Sequence, residues 1–147
     1  VRGNALVVNP NDEINTDKGR FVYDRQTVKL NGTWNSPFWD ISFSPMMRYQ
    51  QGIPFGRTFS STLSYGSVRF LAEPIGTRRQ DAILITDLRV EKTHRFSSRD
   101  ISVFFDFYNM FNANPAQNLQ WSSGTAFNRP LSIVPPRLAR IGAKLNF

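Results

Sequence analysis

Alternation of apolar and polar residues along several strand-length segments is the feature that most constrains the fold of this 147-residue chain. A period of two places every second side chain on one face of an extended strand, whereas a helix needs a period near 3.6. The segments that alternate are residues 27–34, 39–50, 84–91, 101–111 and 137–147. The sequence therefore predicts an all-β fold. Because Pro45 lacks an N–H group, we also expect a bulge or a locally broken pair at that residue.

The connections between these segments fall into two classes. Residues 35–38 and 96–99 are short turns, whereas residues 52–82 and 113–136 are long, polar and rich in glycine and proline, and we expect them to be loops. An antiparallel meander of five strands then places both short turns on one rim and both loops on the other, as transmembrane β-barrels do. The smallest such barrels have about eight strands, so we expect an open, curved sheet with unpaired edges that forms the C-terminal part of a larger barrel. Residues 1–25 would be the remnant of an extracellular loop.

Charged residues recur in mid-strand on the polar side of the alternation, where the wet lumen of a barrel would accommodate them. The candidates for lumen-facing residues are Lys29, Arg48, Asp87, Arg89, Glu91, Asp106, Arg140 and Lys144. Aromatic residues gather where the strands would cross the two membrane interfaces. One group is Trp34, Phe38, Trp39, Phe96 and Phe147 near the short turns, and the other is Tyr49, Phe55, Tyr108 and Phe111 near the loops.

The exposure of the apolar side chains distinguishes this interpretation from its alternative. In a barrel wall, lipid covers them, so they would lie on the convex face and be exposed in this chain alone. The alternative is a soluble β-rich ligand-binding module, such as a carbohydrate-binding module, which would bury them against a core and contact its ligand through the long loops. The residues that decide are Val28, Leu30, Trp34, Trp39, Ile41, Phe43, Leu88, Val90, Val103, Phe105, Phe107, Ile141, Leu145 and Phe147.

The composition excludes several other classes of protein. The net charge of +7 would suit a nucleic-acid partner if the basic residues clustered, but they are spread along the chain, so we expect no nucleic-acid binding. The absence of cysteine excludes disulfides and thiolate chemistry. No apolar run approaches the roughly 18 residues of a membrane-spanning helix.

Catalytic chemistry has little support in the sequence. The single histidine, His94, stands beside Arg95 at the end of a strand, without the cluster of ligands that a metal site needs. Asp87 and Asp106 could be imagined as the two acids of a glycosidase, but the interleaved arginines favour ion-paired lumen carboxylates. We predict no enzyme, no cofactor and no catalytic or metal-binding residues.

The hairpin around Ser97 and Ser98 allows a prediction of register. Its apolar residues have even numbers in the first strand and odd numbers in the second, and centring the turn on the two serines keeps both sets on one face. The predicted pairs are Leu88 with Phe107, Val90 with Phe105, Arg95 with Asp100 and Arg89 with Asp106. In the following pair of strands, Arg140 would reach Asp106 from the other side, with Phe104 opposite Gly142.

Most of the chain from Asp24 to Phe147 resembles the closing strands of TonB-dependent receptors. The segments that carry the resemblance are DRQTVKLNGTW at 24–34, RYQQGIP at 48–54, DLRVEK at 87–92, FDFYNMFN at 105–112 and RLARIGAKLNF at 137–147. The segment RPLSIVPPRLAR at 129–140 is most similar to the receptors that carry a carboxypeptidase-regulatory-like domain ahead of the plug.

The resemblance implies a plugged barrel of about 22 strands in the outer membrane of a Gram-negative type of bacterium. It implies energised uptake of an unidentified substrate, driven through the TonB complex. The implied partners are outer-membrane lipid, the plug and remaining strands of a longer parent chain, and the barrel-assembly machinery. The residues that are similar to the signal recognised by this machinery are Ile141, Ala143, Leu145 and Phe147.

Overall fold

The computed structural model describes residues 14–16, 25–97 and 99–147, and the fold of these residues is all-β, as predicted. The strands are β1 (Thr27–Asn31), β2 (Trp34–Asn35), β3 (Ile41–Gln50), β4 (Pro54–Phe55), β5 (Thr58–Leu63), β6 (Gly66–Leu71), β7 (Arg78–Arg79), β8 (Ile83–Phe96), β9 (Arg99–Tyr108), β10 (Ala116–Leu119), β11 (Pro130–Ile133) and β12 (Leu138–Asn146). Within the described ranges, no helix is long and apolar enough to cross a membrane. Most of the predicted loop remnant at 1–25 lies outside the described residues.

The chain divides into two compact units. The sheet unit comprises Thr27–Gln50, Ile83–Pro115 and Val134–Phe147. The hairpin unit comprises Gln51–Ala82 and Ala116–Ile133, with the described residues near the N terminus. The sheet unit thus contains the predicted strands, and the hairpin unit contains most of the two predicted loops.

The sheet unit is an antiparallel meander with its strands in chain order, β1-β3-β8-β9-β12, while β2 pairs with β3 beyond the end of β1. β1 and β2 act as one interrupted strand, because Leu30 opposes Met47 and Trp34 opposes Phe43 in the same register. The predicted meander of five strands is therefore confirmed. Among the described residues, the β1 and β12 edges of the sheet are unpaired.

Pro45 accounts for the interruption between β1 and β2. The N–H group of Gly32 donates a hydrogen bond to the carbonyl oxygen of Pro45 (3.2 Å), but proline has no N–H group with which to complete the pair. The register is the same before and after this point. The expected broken pair is confirmed, and the alternative of a bulge is wrong.

The predicted registers of the last three long strands are confirmed. β8 and β9 pair Leu88 with Phe107, Val90 with Phe105, Arg95 with Asp100 and Arg89 with Asp106. β12 then places Arg140 opposite Asp106 and Gly142 opposite Phe104. Directly opposed residues share a face of a sheet, so the alternation separates an apolar face from a polar face across the whole unit.

Two strand ends differ from the predictions. β3 begins at Ile41, not at Trp39, because Trp39 and Asp40 have φ values of 70° and 48° and belong to the turn. β9 ends at Tyr108 and excludes Phe111, because Asn109 has a φ of 49° and turns the chain. A residue in the left-handed region cannot continue a strand, even where its polarity fits the alternation.

The interpretation of residues 52–82 and 113–136 as simple loops is wrong. In these segments β4 pairs with β7, β5 with β6, and β10 with β11. Glycine permits close approach of the backbone at two points: a Cβ atom at Gly56 would lie 2.5 Å from the carbonyl oxygen of Glu73, and one at Gly52 would overlap that of Gln80. These glycines therefore serve the packing of the hairpin unit as well as its turns.

The apolar face of the sheet unit is not covered by the described residues. None of the apolar residues that were expected to be exposed is buried, but five of them are half-buried: Ile41, Phe43, Leu88, Val90 and Phe107. The others are exposed, and Ile141 and Phe147 reach 71% and 89%. The buried apolar residues among those described are Phe55, Ile85, Ala116 and Val134, and none of them lies on the apolar face. Among the described residues, the sheet unit therefore has no core on the side where a soluble sheet would have one.

Candidate functional site

All the candidates for lumen-facing residues lie on the polar face of the sheet unit. Lys29 opposes Arg48 on β3. Lys144 of β12 opposes Ser102 of β9, which lies on the same face as Asp106. Asp87 and Glu91 occupy alternate positions on either side of Arg89 in β8. Whether this face lines a lumen stays a prediction.

The centre of the polar face is a carboxylate held by two arginines. Arg89 donates from Nε to Oδ1 of Asp106 (2.6 Å) and from Nη2 to Oδ2 (3.1 Å). Arg140 donates from Nε and Nη2 to Oδ2, at 3.0 and 2.6 Å, and the hydroxyl of Tyr108 donates to the same oxygen at 3.3 Å. Such charge-assisted bonds are the strongest class of hydrogen bond in proteins. Asp106 is only 3% exposed, so the three strands enclose the acid and leave parts of both cations accessible.

Phe104 packs between the two arginines. Gly142 lies directly opposite, and a Cβ atom there would overlap the Phe104 ring. The guanidinium carbon atoms of Arg89 and Arg140 lie 4.6 and 5.6 Å from the centre of the same ring, within the range of cation–π interaction. The sequence predicted the pairing with glycine, but not the contact with both cations.

The remaining candidates do not join this cluster. Asp87 accepts a hydrogen bond from the backbone N–H of Asn109 (2.8 Å), at the end of β9. Lys29 and Arg48 are like charges in directly opposed positions, which is destabilising in a sheet. Within the described part of the chain, Lys29, Arg48, Glu91 and Lys144 form no ion pair.

Asn109 is a structural residue that sequence reasoning did not single out. Its side chain donates to the carbonyl oxygens of Ala113 and Pro135 and accepts from the N–H of Ala113, each at 2.8 Å. It is 4% exposed and therefore joins the end of β9 to the segment before β12 from a buried position. The available signal was the tolerance of asparagine for left-handed conformations in turns.

The candidates for the assembly signal lie on the opposite side of β12. Ile141, Ala143 and Leu145 oppose residues of the apolar face of β9, and all are exposed together with Phe147. They form an apolar row along an unpaired edge of the sheet. Recognition of this row by assembly machinery stays a prediction.

The hairpin unit has a small aromatic core of its own. The rings of Phe55 and Trp121 stack with their centres 5.4 Å apart, and Phe55 is 2% exposed. Its assignment to an interfacial aromatic group is therefore wrong. Arg57 and Arg78 both lie over the ring of Phe127, at 5.7 and 5.1 Å.

Glu73 holds these two arginines together. Its Oε1 accepts from Nε of Arg78 (2.6 Å) and from the backbone N–H of Arg57 (2.9 Å). Burial raises the pKa of the Glu73 carboxyl. The hydrogen bonds and the two positive charges together lower it by more, so the pKa lies below its ordinary value. The unit also buries the Nε of Arg57, the Nε2 of Gln80 and the Nε1 of Trp121 without an acceptor.

The geometry gives no support to the glycosidase interpretation. Asp106 is fully engaged with arginines, and Asp87 accepts from a backbone N–H. The ring of His94 makes an edge contact with Phe96, with centres 4.6 Å apart. In the described part of the chain, no group of three or more His, Asp or Glu side chains could hold a metal ion.

Comparison with known proteins yields no relative from which a function could be transferred. No protein-family model, curated protein or solved structure matches the chain.

Proposed function

We propose that the sheet unit is part of the wall of a transmembrane β-barrel in a bacterial outer membrane. Because the sequence of the chain resembles the closing strands of TonB-dependent receptors, we assign the barrel to such a receptor, which would take up a substrate with energy supplied through TonB. The observation that carries the proposal is the uncovered apolar face, which lies back to back with a polar face whose central charges are hydrogen-bonded to one another.

Two properties of the sheet support lipid as the cover of the apolar face. A soluble monomer rarely exposes an apolar patch larger than a few hundred Å², whereas here β1, β2, β8, β9 and β12 all carry exposed apolar residues on the apolar face. The strands β3, β8, β9 and β12 contain 10, 14, 10 and 9 residues, and a tilted strand needs about 9–11 residues to cross a membrane.

The unpaired edges determine what this unit contributes. Backbone groups without partners cost several kcal/mol each in lipid, which is why membrane sheets close into barrels. The β1 and β12 edges would therefore pair with further strands in the assembled protein. In this proposal the unit supplies wall and lumen surface, while plugging, energy coupling and substrate choice belong to the receptor as a whole.

Site-directed spin labelling of β9 tests the proposal; these 147 residues contain no cysteine, and any cysteine elsewhere in the full-length protein is replaced first. Labels at Val103 and Phe105 report on the apolar face, and labels at Ser102 and Phe104 report on the polar face. In the full-length protein reconstituted in phospholipid vesicles, we expect oxygen, which concentrates in lipid, to relax the labels at 103 and 105 most. A water-soluble nickel complex should relax those at 102 and 104.

Two results would contradict the proposal. One is a protein that stays in the aqueous phase without detergent, with the labels at 103 and 105 immobilised in a core, which is the behaviour of a soluble ligand-binding module. The other is equal oxygen accessibility at odd and even positions, because a lipid-covered face must alternate with a wet one along a strand.

A further inference from the structure

The apolar face of the sheet unit carries basic residues at one end only. By the register of β8 and β9, these residues are Lys92, His94 and Arg99. All three are exposed and lie in the part of the sheet nearest the short turn between β8 and β9. No aspartate or glutamate lies on this face of the described strands. The end therefore has a positive charge that nothing on its own face compensates.

Aromatic rings separate these basic groups. Arg99 lies opposite Phe96, and its guanidinium carbon is 5.8 Å from the centre of the Phe147 ring. His94 makes its edge contact with Phe96 from the same strand. Phe96 and Phe147 are 54% and 89% exposed, so apolar and cationic surfaces alternate across the end of the sheet.

The basic side chains have no ionic partner among the described residues. Arg89 and Arg140 on the polar face share Asp106, but no ion pair is formed by Lys92, His94 or Arg99. The acids nearest in sequence, Glu91 and Asp100, project from the polar face because they occupy the alternate positions of β8 and β9.

Lys92 and Arg99 can serve the same anion despite their separation along the strands. Lys92 is four residues from Phe96 at the end of β8, or about 13 Å at the usual rise of a strand. Lysine and arginine lay their aliphatic stems along apolar surface and carry the charge to the polar boundary. The lysine stem covers only part of this distance, so Lys92 and Arg99 can meet at a phosphate that lies between them along the strands, over His94.

We propose that Lys92, His94 and Arg99 bind the phosphate of an anionic phospholipid in the leaflet at the short turns, with Phe96 and Phe147 beside its headgroup and Val103 and Phe105 against its acyl chains. This proposal rests on the proposed function, because it takes lipid as the cover of the apolar face. Charge complementarity selects the occupant: this surface offers cations for a phosphate and rings for hydrocarbon, and it offers no acid that a basic protein partner would need.

The test uses the full-length protein in detergent micelles, titrated with phosphatidylglycerol and, separately, with phosphatidylcholine and inorganic phosphate. The variant is Lys92→Gln with Arg99→Gln. The matched control is Lys29→Gln with Lys144→Gln, which removes the same charge from exposed residues of the polar face. We expect the Lys92 and Arg99 variant to bind phosphatidylglycerol about 30-fold more weakly, which corresponds to about 1 kcal/mol for each basic residue. The control should bind as the unmodified protein does.

A conservative exchange separates loss of charge from loss of folding. Lys92→Arg with Arg99→Lys keeps both charges and should retain the affinity for phosphatidylglycerol. Equal weakening in the polar-face control would overturn the proposal, because it would show a general effect of net charge. No weakening in the Gln variant would overturn it as well. Competition by inorganic phosphate as effective as that by the lipid would overturn the assignment to a phospholipid.

The spin label at Val103 distinguishes failure of this proposal from failure of the proposed function. If the label shows lipid contact in vesicles but phosphatidylglycerol binding does not depend on Lys92 and Arg99, only the headgroup site is refuted. If the label shows no lipid contact, the membrane wall and the headgroup site are refuted together.

Discussion

Replacement of Asp106 by asparagine is the most direct perturbation of the polar face. The amide is nearly the same size as the carboxylate, so the change removes the negative charge without opening a cavity. Arg89 and Arg140 then lose the charge that they share, and the amide nitrogen replaces one of the accepting oxygens. We expect a lower free energy of unfolding, because two guanidinium groups remain close together without a counterion.

The size of the effect follows from how well water can reach the two arginines. Removing one partner of a buried ion pair costs about 3–5 kcal/mol, since the remaining charge is left in the interior. Here the side chains of Arg89 and Arg140 are 41% and 54% exposed, so water can solvate them again. The amide oxygen also still accepts a hydrogen bond. We therefore expect Asp106→Asn to cost about 1–3 kcal/mol.

Urea unfolding of the full-length protein in vesicles, followed by tryptophan fluorescence, measures this cost. The matched control is Glu91→Gln, the same chemical change at an acid on the same face that has no ion pair among the described residues, and we expect it to cost less than about 0.5 kcal/mol. A double-mutant cycle with Arg89→Gln should give a coupling energy of about 0.5–3 kcal/mol. Equal costs for the two acids, or a coupling energy of zero, would refute the account of the cluster.

Three further changes test other contacts. Gly142→Ala should cost about 1–3 kcal/mol in urea unfolding, because the new methyl group overlaps Phe104; no change would mean that the ring is not seated there. Asn109→Ala should cost about 2–3 kcal/mol and speed proteolysis between β9 and β12, since the backbone groups of Ala113 and Pro135 lose the hydrogen bonds that the buried Asn109 side chain makes. The Glu73 carboxyl has a lowered pKa in the folded state, so its contribution to stability is present at neutral pH and is lost as the pH falls below about 4.3. With Trp34 and Trp39 replaced by phenylalanine, a change in Trp121 fluorescence on acidification should report this loss, and Glu73→Gln should remove the part of the pH dependence that Glu73 contributes.

The registers of the sheet could be predicted because several constraints agree on them. The parity of the apolar residues fixes which side chains must share a face, and the two serines at 97 and 98 fix the position of the turn. The charges then provide an independent check, since the same pairing sets Arg89 opposite Asp106. A slip by one residue would place Phe105 and Phe107 among the charges of the polar face.

The hairpin unit was missed for two reasons. In β5 and β6, of six residues each, the alternation of Phe59, Val68 and Phe70 is weak among polar neighbours, and the other strands are too short to show any. β4 and β7 contain two residues each, and a period of two cannot be detected over such a length. What holds this unit is the stack of Phe55 on Trp121, residues that are far apart in the sequence. Glycine and proline correctly marked breaks in the strands, but they did not reveal which segments come together between the breaks.

The exceptions to the alternation carry more functional information than the residues that obey it. Phe104 is an aromatic residue on the polar face, and the structure explains it by the space above Gly142 and by the two guanidinium groups that flank the ring. Lys92 and Arg99 are cations on the apolar face, and no described residue of the protein neutralises them. Phe104 finds its partners within the sheet and therefore stabilises it. Lys92 and Arg99 find no counterion there and lie among exposed phenylalanines. They need an anion that also has an apolar part, which an anionic phospholipid would supply.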